Sequence, residues 1–297
     1  MERMDYLLGP MRIPFLVLAP ICVLLGIGSA IWKVGEVSIL HLILIFIGAL
    51  AAHISVNALN EYDDFKSGLD FKTRRTPFSG GSGSLPKSPD KAHVALAVGF
   101  ITLAVVGLIG LYFVYIRGWA LLPLGLLGLV IVYTYTRFLT RNPLLCLVAP
   151  GMGFGVLMVM GTDFVLTGEY SITAFFASLV PFFLVSDLLL LNQFPDVEAD
   201  RTIGRRHFPI AAGRKASSYL YGIFLILAYL SILIGVYLGY LPHFTLIGML
   251  SLTLAIPVAI GVVRHRENIE KLTPFMGMNV ILNLITPALV SVGFLIG

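Results

Sequence analysis

The chain is predicted to be an all-α, polytopic membrane protein, and three observations predict it. Of its 297 residues, 58% are hydrophobic and only 12% are charged, against roughly a quarter charged in an ordinary soluble domain. Nine apolar windows, each near the roughly 20 residues that cross a bilayer, follow one another along the sequence. The basic residues then fall on alternate connections between those windows, as they do in a chain whose orientation in a membrane is fixed by charge.

The windows run over about 13–33, 38–60, 93–116, 118–137, 143–163, 171–192, 217–240, 243–263 and 273–296. The first is a full span with no small-residue cleavage site at a convincing distance, so it is expected to be kept rather than removed as a signal. The third and fourth are separated only by Arg117-Gly118, which leaves counts of eight or ten open. With nine helices, all but Lys33 and Arg117 of the 20 Lys and Arg residues lie on one side, beginning with Arg3 and Arg12. That side is expected to be cytoplasmic, with the N-terminus inside and the C-terminus outside. The net charge of +4 therefore reports orientation rather than a nucleic-acid partner, and no protein partner can be inferred. Cys22 and Cys146 lie in separate apolar runs and read as small core residues, not as a disulfide or a zinc site.

Two long inside connections stand out, about 65–90 and 197–215, and each follows an acidic motif. The first contains Thr76-Pro-Phe-Ser-Gly-Gly-Ser-Gly-Ser-Leu-Pro86, too rich in Gly and Pro to be helical throughout. Its length suits a structured cap better than a tether. The motifs share a spacing, since Asn60-x-x-x-Asp64 recurs as Asn192-x-x-x-Asp196. An Asp at the centre of a membrane helix costs roughly 2.5–3.5 kcal/mol, so such residues are functional candidates by default.

On a helix, His53, Asn57, Asn60 and Asp64 share one stripe, and Asn192, Asp196 and Asp200 step by four along another, with Pro195 loosening the helix as it leaves the membrane. Both stripes are expected to face the bundle interior, where their hydrogen bonds can be met. Carboxylates with amide oxygens and no His/Cys cluster suit Mg²⁺, which commonly binds through one or two carboxylates plus a substrate's phosphates. Arg12, Lys66, Arg74, Arg75, Arg141 and the Arg201–Arg206 group crowd the same face and could hold phosphate oxygens, although each basic residue alone also serves as a topology determinant. Tyr133 and Tyr135 could offer π-faces to a carbocation or anchor the helix at the interface. His53, one turn deeper than Asn57, is either an acceptor contact or a packing residue. Asp187 lies about 180° round its helix from the motif stripe and reads as a helix–helix hydrogen-bonding residue or as part of a second polar site.

At these residues the chain resembles the UbiA superfamily of intramembrane prenyltransferases, and within it the menaquinone-type branch that prenylates 1,4-dihydroxy-2-naphthoate. Arg12-Ile-Pro-Phe-Leu with Pro20 is similar to the family's opening stretch. Asn60-x-x-x-Asp64-x-x-x-x-x-Asp70 has the spacing of that branch's first motif, where the benzoate branch places its last Asp at the position of Gly68. Arg75-Thr-Pro-Phe-Ser-Gly-Gly-Ser-Gly and Asp196-x-x-x-Asp200 with Arg201 and Gly204 also resemble it. The resemblance implies one transmembrane prenyltransferase domain over 1–297, with nine helices around a central cavity capped by the cytoplasmic loops. It implies Mg²⁺ and diphosphate at Asn60, Asp64, Asp70, Asn192, Asp196 and Asp200, with diphosphate contacts at Arg12, Lys66, Arg75, Arg141 and Arg201. The implied substrates are a prenyl diphosphate and a small aromatic acceptor, with His53, Asn57, Tyr133 and Tyr135 as acceptor or cation contacts. Glu61 departs from a frequent Asp, and Gln193-Phe-Pro195 departs from the Asn-x-Arg often seen before the second motif. Prenyl transfer to 4-hydroxybenzoate or to a glycerol-phosphate lipid is the enzymatic alternative. An ion-coupled transporter is the alternative from another class, but it would carry its acids near the midplane rather than at helix ends.

Overall fold

The computed structural model describes residues 4–297; Arg3, counted above among the basic residues, lies outside them. Every regular element is helical. The chain enters through α1 (Asp5–Met11) and a single turn at Ile13–Phe15, then continues as α2 (Leu18–Val34), the two segments bent by 43°. The break sits at Arg12, whose φ of 51° makes it the one described non-glycine residue with a left-handed backbone. Its N–H closes α1 on the Gly9 carbonyl at 2.9 Å. Pro14 follows, and the residue before a proline is disfavoured in the α region, so the helix cannot run on.

Helix α3 (Ile39–Lys66) has 28 residues and is about 42 Å long at 1.5 Å per residue, well beyond a hydrocarbon core of about 30 Å. Its last turns, which carry Asn60 to Asp64, therefore emerge from the apolar layer. After it come α4 (Ser84–Lys87), α5 (Ala92–Arg117), α6 (Leu122–Thr134), α7 (Pro143–Thr167), α8 (Ile172–Asn192), α9 (Val197–Arg201), α10 (Phe208–Tyr237), α11 (His243–His265) and α12 (Ile269–Ile296). Among the described residues, seven helices are long and apolar enough to cross a membrane, or eight if the bent pair α1–α2 is one span. The fourth expected window accounts for the difference from nine, because its helix, Trp119–Thr134, falls short of the roughly 20 residues a span needs.

Within α7, Pro150 interrupts regular bonding and the helix widens into π-type turns over Met152–Met160. Two apolar clusters form the core. One joins α8, α10 and α12 around Leu184, Tyr221 and Leu272, and the other joins α2, α5 and α7 around Val23, Phe113 and Phe164. Phe154 and Met158, both in the widened stretch, touch the two clusters and line a cavity of about 550 Å³ between them. Cys22 and Cys146 are buried and unbridged.

The two ends of the bundle differ in charge as the sequence predicts. Lys33 pairs with Glu169 at 2.6 Å, and Arg117 donates to the Val165 and Leu166 carbonyls. At the other end, Arg214 pairs with Glu267, Arg74 with Glu270, and Lys72 donates to Thr202.

Helices α7 and α8 meet through two glycines four residues apart. A Cβ on Gly151 would lie 2.0 Å from the Phe182 carbonyl oxygen, and one on Gly155 would lie 2.5 Å from the Phe182 nitrogen. Small residues at this spacing let membrane helices approach backbone to backbone. Gly107 on α5 faces open space. Gly151→Ala is therefore expected to lower the thermal midpoint in detergent through overpacking of about 1–3 kcal/mol, while Gly107→Ala leaves it unchanged or raises it slightly. Equal midpoints for Gly151→Ala and the parent would contradict this crossing.

Candidate functional site

The mouth of the cavity is built on the emergent end of α3. His53, Asn57 and Asn60 line the cavity along the expected stripe, and Asp64 continues it one turn higher, buried at 7% exposure. Arg12 reaches across from the bend between α1 and α2. Its Nε donates to Glu61 Oε1 at 2.8 Å and its Nη2 to Asn60 Oδ1 at 3.1 Å. Asn60 Nδ2 donates in turn to Thr136 Oγ1 at 3.1 Å, and Asn57 Nδ2 to the Met11 carbonyl at 3.1 Å. The Asn60 amide is thus oriented by bonds on both sides, and Asn57 by one.

The 65–90 connection is a folded cap. Thr76 Oγ1 accepts from the Phe78 and Ser79 N–H groups, and Gly80, Gly81 and Gly83 take positive φ values. These turns bring Ser82 onto Glu61, with its N–H donating to Oε1 and its hydroxyl to Oε2, both at 2.8 Å. A side chain at Gly81 would meet Asp70 Oδ1 at 3.1 Å and Glu61 Oε1 at 3.2 Å, so the bare backbone is what lets the cap close on the acids. Phe78 hangs from the cap into the cavity wall and packs over Gly277 of α12.

The second wall differs from expectation. Asn192, Asp196 and Asp200 do not share one helix, because α8 stops at Asn192 and a turn through Pro195 intervenes before α9. Arg214 seals that turn by donating from Nε and Nη2 to the Phe194 carbonyl at 3.1 and 2.9 Å. The turn still delivers its residues to the mouth. Asn192 lines the cavity, and Asp200 meets Asp64 of the first wall through one guanidinium, that of Arg205. His207 Nε2 lies 3.0 Å from the remaining Asp200 oxygen.

The electrostatics separate the acids. Burial, reinforced by Glu61 and Asp64, pushes Asp70 up to about 7, and burial next to Asp200 does the same for Asp196, also to about 7. Burial opposes the charge on Asp200 as well, yet His207 and Arg205 hold it below the usual carboxylate range.

These residues suit an oxygen-loving cation. Asp70 Oδ2, Asn192 Oδ1 and Asp196 Oδ1 are buried without a hydrogen-bond partner in the protein, and buried oxygens of that kind fit a cation that would take them. Among the described residues, no three Asp, Glu, His or Cys side chains already converge into a cage. Mg²⁺ does not need one, since it keeps several waters and shares its remaining positions with substrate phosphates.

Other expected contacts are dispersed. Tyr135 lines the cavity. Tyr133 does not: its ring is 41% exposed on the outer side of α6, facing Phe100 and the Arg137 guanidinium, because two positions along a helix turn a side chain by about 200°. Lys66 is exposed over the Tyr62 ring, Arg201 is exposed and paired with Glu198 at 3.7 Å, and Arg141 is exposed at the end of a short turn. Arg75 is exposed with its guanidinium against Gly83 and donates to the Asp70 carbonyl at 3.4 Å. Asp187 is fully buried away from the mouth, near Tyr221, and neither of its oxygens has a partner. Two contributors, Glu61 and His207, were missed, and Arg205 was expected only as one of the Arg201–Arg206 group. Glu61, 0% exposed, is the hub joining Arg12 to the cap. Arg205 and His207 hold Asp200.

Comparison with known proteins agrees with this architecture. The model of the UbiA prenyltransferase family matches residues 19–282. The chain is 28% identical over 214 residues to a 1,4-dihydroxy-2-naphthoate octaprenyltransferase from Bacillus subtilis (strain 168), covering 70% of this chain and 66%, just under two thirds, of that protein. It is 26% identical over 236 residues to a digeranylgeranylglyceryl phosphate synthase from Pyrococcus horikoshii, covering 74% and 77% of the two chains. Its fold is similar to that of a UbiA homolog from Archaeoglobus fulgidus solved with DMAPP and Mg²⁺, at a TM-score of 0.56 and 14% identity over 97% of this chain and 99% of that one. With the family pattern running from α2 to α12 and both acidic stretches inside it, the chain belongs to the UbiA prenyltransferase family, whose members are intramembrane transferases of prenyl groups.

Proposed function

We propose that this protein transfers a prenyl group from a polyprenyl diphosphate to an aromatic acceptor of the 1,4-dihydroxy-2-naphthoate type, with Mg²⁺ as cofactor. The observation that carries the reading is one mouth where buried, unpartnered oxygens of Asp70, Asn192 and Asp196 gather beside an apolar cavity that Asn192, Asn60 and Arg12 line. The naphthoate relative supports the acceptor, and the homolog bound to DMAPP and Mg²⁺ supports the donor and the metal.

Asn60, Asp64, Asp70, Asn192, Asp196 and Asp200 would hold the metal. When bound, Mg²⁺ supplies positive charge against the charge that grows on the departing diphosphate. Arg12 stands at the cavity mouth and Arg75 on the cap, each able to offer a planar fork of donors to phosphate oxygens. Lys66, Arg141 and Arg201 are expected to act more distantly, through the field at that face. The allylic C–O bond breaks with its electron pair passing to diphosphate. The prenyl cation is left among apolar walls and the Tyr135 π-face, with water excluded by the cap. An electron-rich ring carbon of the acceptor attacks, a carbon–carbon bond forms, and the ring regains aromaticity by losing carbon dioxide or a proton. His53 and Asn57 lie along the wall where the ring would rest.

The proposed setting is one transmembrane domain over 1–297, with its N-terminus and acidic mouth facing the cytoplasm and its C-terminus outside. Helix Trp119–Thr134 would then serve as a ninth, short crossing, which keeps the basic residues on one side. A second reading, transfer to a glycerol-phosphate lipid, is favoured by the 26% identical synthase.

Purified protein with Mg²⁺ and labelled geranylgeranyl diphosphate, offered dihydroxynaphthoate, hydroxybenzoate or geranylgeranylglyceryl phosphate in parallel, is expected to label only the first. Product with only the last would replace the proposed acceptor. Asp64→Asn and Asp196→Asn are each expected to lower turnover at least about 100-fold, comparable to losing a strong electrostatic contact in a transition state, with the thermal midpoint retained for Asp196→Asn and lowered for Asp64→Asn, which strips Arg205 of a buried partner. Activity near that of the parent would remove that residue from the site. Because Asp70 and Asp196 titrate at about 7 without metal, protons compete with Mg²⁺ below that pH and no longer do so above it. In the presence of geranylgeranyl thiolodiphosphate, the Mg²⁺ concentration that half-maximally raises the thermal midpoint should therefore be at least about tenfold higher at pH 6 than at pH 8, and a flat profile would contradict a metal site whose raised carboxylates must lose protons to bind.

A further inference from the structure

One arginine stands where the two acidic walls meet. Arg205 Nη1 donates to Asp200 Oδ1 at 2.8 Å, and Nη2 donates to Asp64 Oδ1. A single side chain, 13% exposed, therefore neutralises one carboxylate from α3 and one from α9. His207 occupies the other Asp200 oxygen. Asp70, Asn192 and Asp196 nevertheless retain buried oxygens with no partner. The walls are thus divided into oxygens held by a protein cation and oxygens left open.

A divalent ion held by Asp64 and Asp200 together would compete with Arg205 for Asp64 Oδ1 and Asp200 Oδ1. Arg205 cannot simply leave, since a guanidinium stays charged and stripping its partners at this depth is costly. A diphosphate resolves the conflict. It offers the same planar fork an equivalent pair of oxygens with more negative charge, so the guanidinium can transfer without passing through an unpaired state. Arg205 lies in the non-helical stretch between α9 and α10, one residue after Gly204 at φ 79°, which leaves it free of a rigid helical turn.

Resting on the prenyl-diphosphate reading above, we propose that Arg205 is the resident counter-ion of the metal-free site and makes divalent-metal binding conditional on diphosphate. Incoming diphosphate would draw the guanidinium off Asp64 and Asp200, and the oxygens so released would join those already open on Asp70, Asn192 and Asp196 as residues able to hold the metal. Metal binding without diphosphate is suppressed, which orders the assembly of the site.

The test is a Mn²⁺ titration, read by the electron paramagnetic resonance of free Mn²⁺, on the full chain in detergent. It is run with and without geranylgeranyl thiolodiphosphate as an unreactive probe, for the parent, Arg205→Gln and Lys72→Gln. In the parent, the probe is expected to tighten Mn²⁺ binding about tenfold or more, within the ordinary range for coupled ligands. Arg205→Gln alone should bind Mn²⁺ about tenfold more tightly than the parent, and the probe should then tighten binding by a smaller factor than in the parent. Lys72→Gln removes the same charge from an exposed side chain at this end of the bundle and should leave the affinity unchanged. Arg205→Gln no tighter than the parent, or matched by Lys72→Gln, would overturn the proposal. If Arg205→Gln does not fold, the parent decides, because probe binding without any effect on Mn²⁺ affinity overturns the role of Arg205 alone. A probe that never binds the parent would remove the prenyl-diphosphate site itself, and this inference with it.

Discussion

A carboxylate at the rim of a hydrocarbon layer must find a cation or give up its charge, and most of the mouth follows from that requirement. Two arginines meet it in different ways. Arg12 binds Glu61 and Asn60 from the bend in the first segment, while Arg205 binds Asp64 and Asp200 from the second wall. Each pair joins elements far apart in sequence, so the ionic contacts also fix how α1, α3 and α9 come together. Such contacts are weak as sources of net stability when buried, because desolvation offsets their attraction. Their value here lies in register: they aim a set of oxygens at one point.

The remainder of the architecture keeps that point dry and places it above an apolar chamber. The paired glycines of α7 draw α8 close, and the widened turns after Pro150 set Phe154 and Met158 between the two core clusters. The cap closes from above through Ser82 on Glu61 and Phe78 over α12. The charged groups of the mouth are thereby gathered above an apolar chamber, apart from the buried Asp163 and Asp187 deeper in the bundle, and an ionising allylic substrate requires that separation of charged head from apolar bed.

Much of this was legible in the sequence. The apolar window over about 38–60 and the helical period place His53, Asn57, Asn60 and Asp64 on one stripe, and α3, which runs Ile39–Lys66, carries them there. Pattern reading failed where backbone detail or distant contacts decide. Pro195 ends α8 instead of bending it, so three residues at four-residue steps reach the mouth by way of a turn. Tyr133 and Tyr135 look equivalent in sequence, yet one faces the cavity and the other faces outward. Among several arginines after the second motif, the family resemblance singled out Arg201, whereas the loop between α9 and α10 turns Arg205 inward and leaves Arg201 with Glu198. Glu61 lies off the acidic stripe, and only the folded cap reveals what it holds.

The left-handed residue at Arg12 has a consequence for how this protein can vary. Non-glycine residues occupy that conformation at a cost of about 1–3 kcal/mol, and the side chains that relieve it, glycine or asparagine, are too short to span the gap to Glu61. Long side chains that could span it cannot relax the backbone. Two tasks, steering the polypeptide into the bilayer and bracing the entrance of the chamber, are fused in one codon, and no single replacement can improve either without surrendering the other.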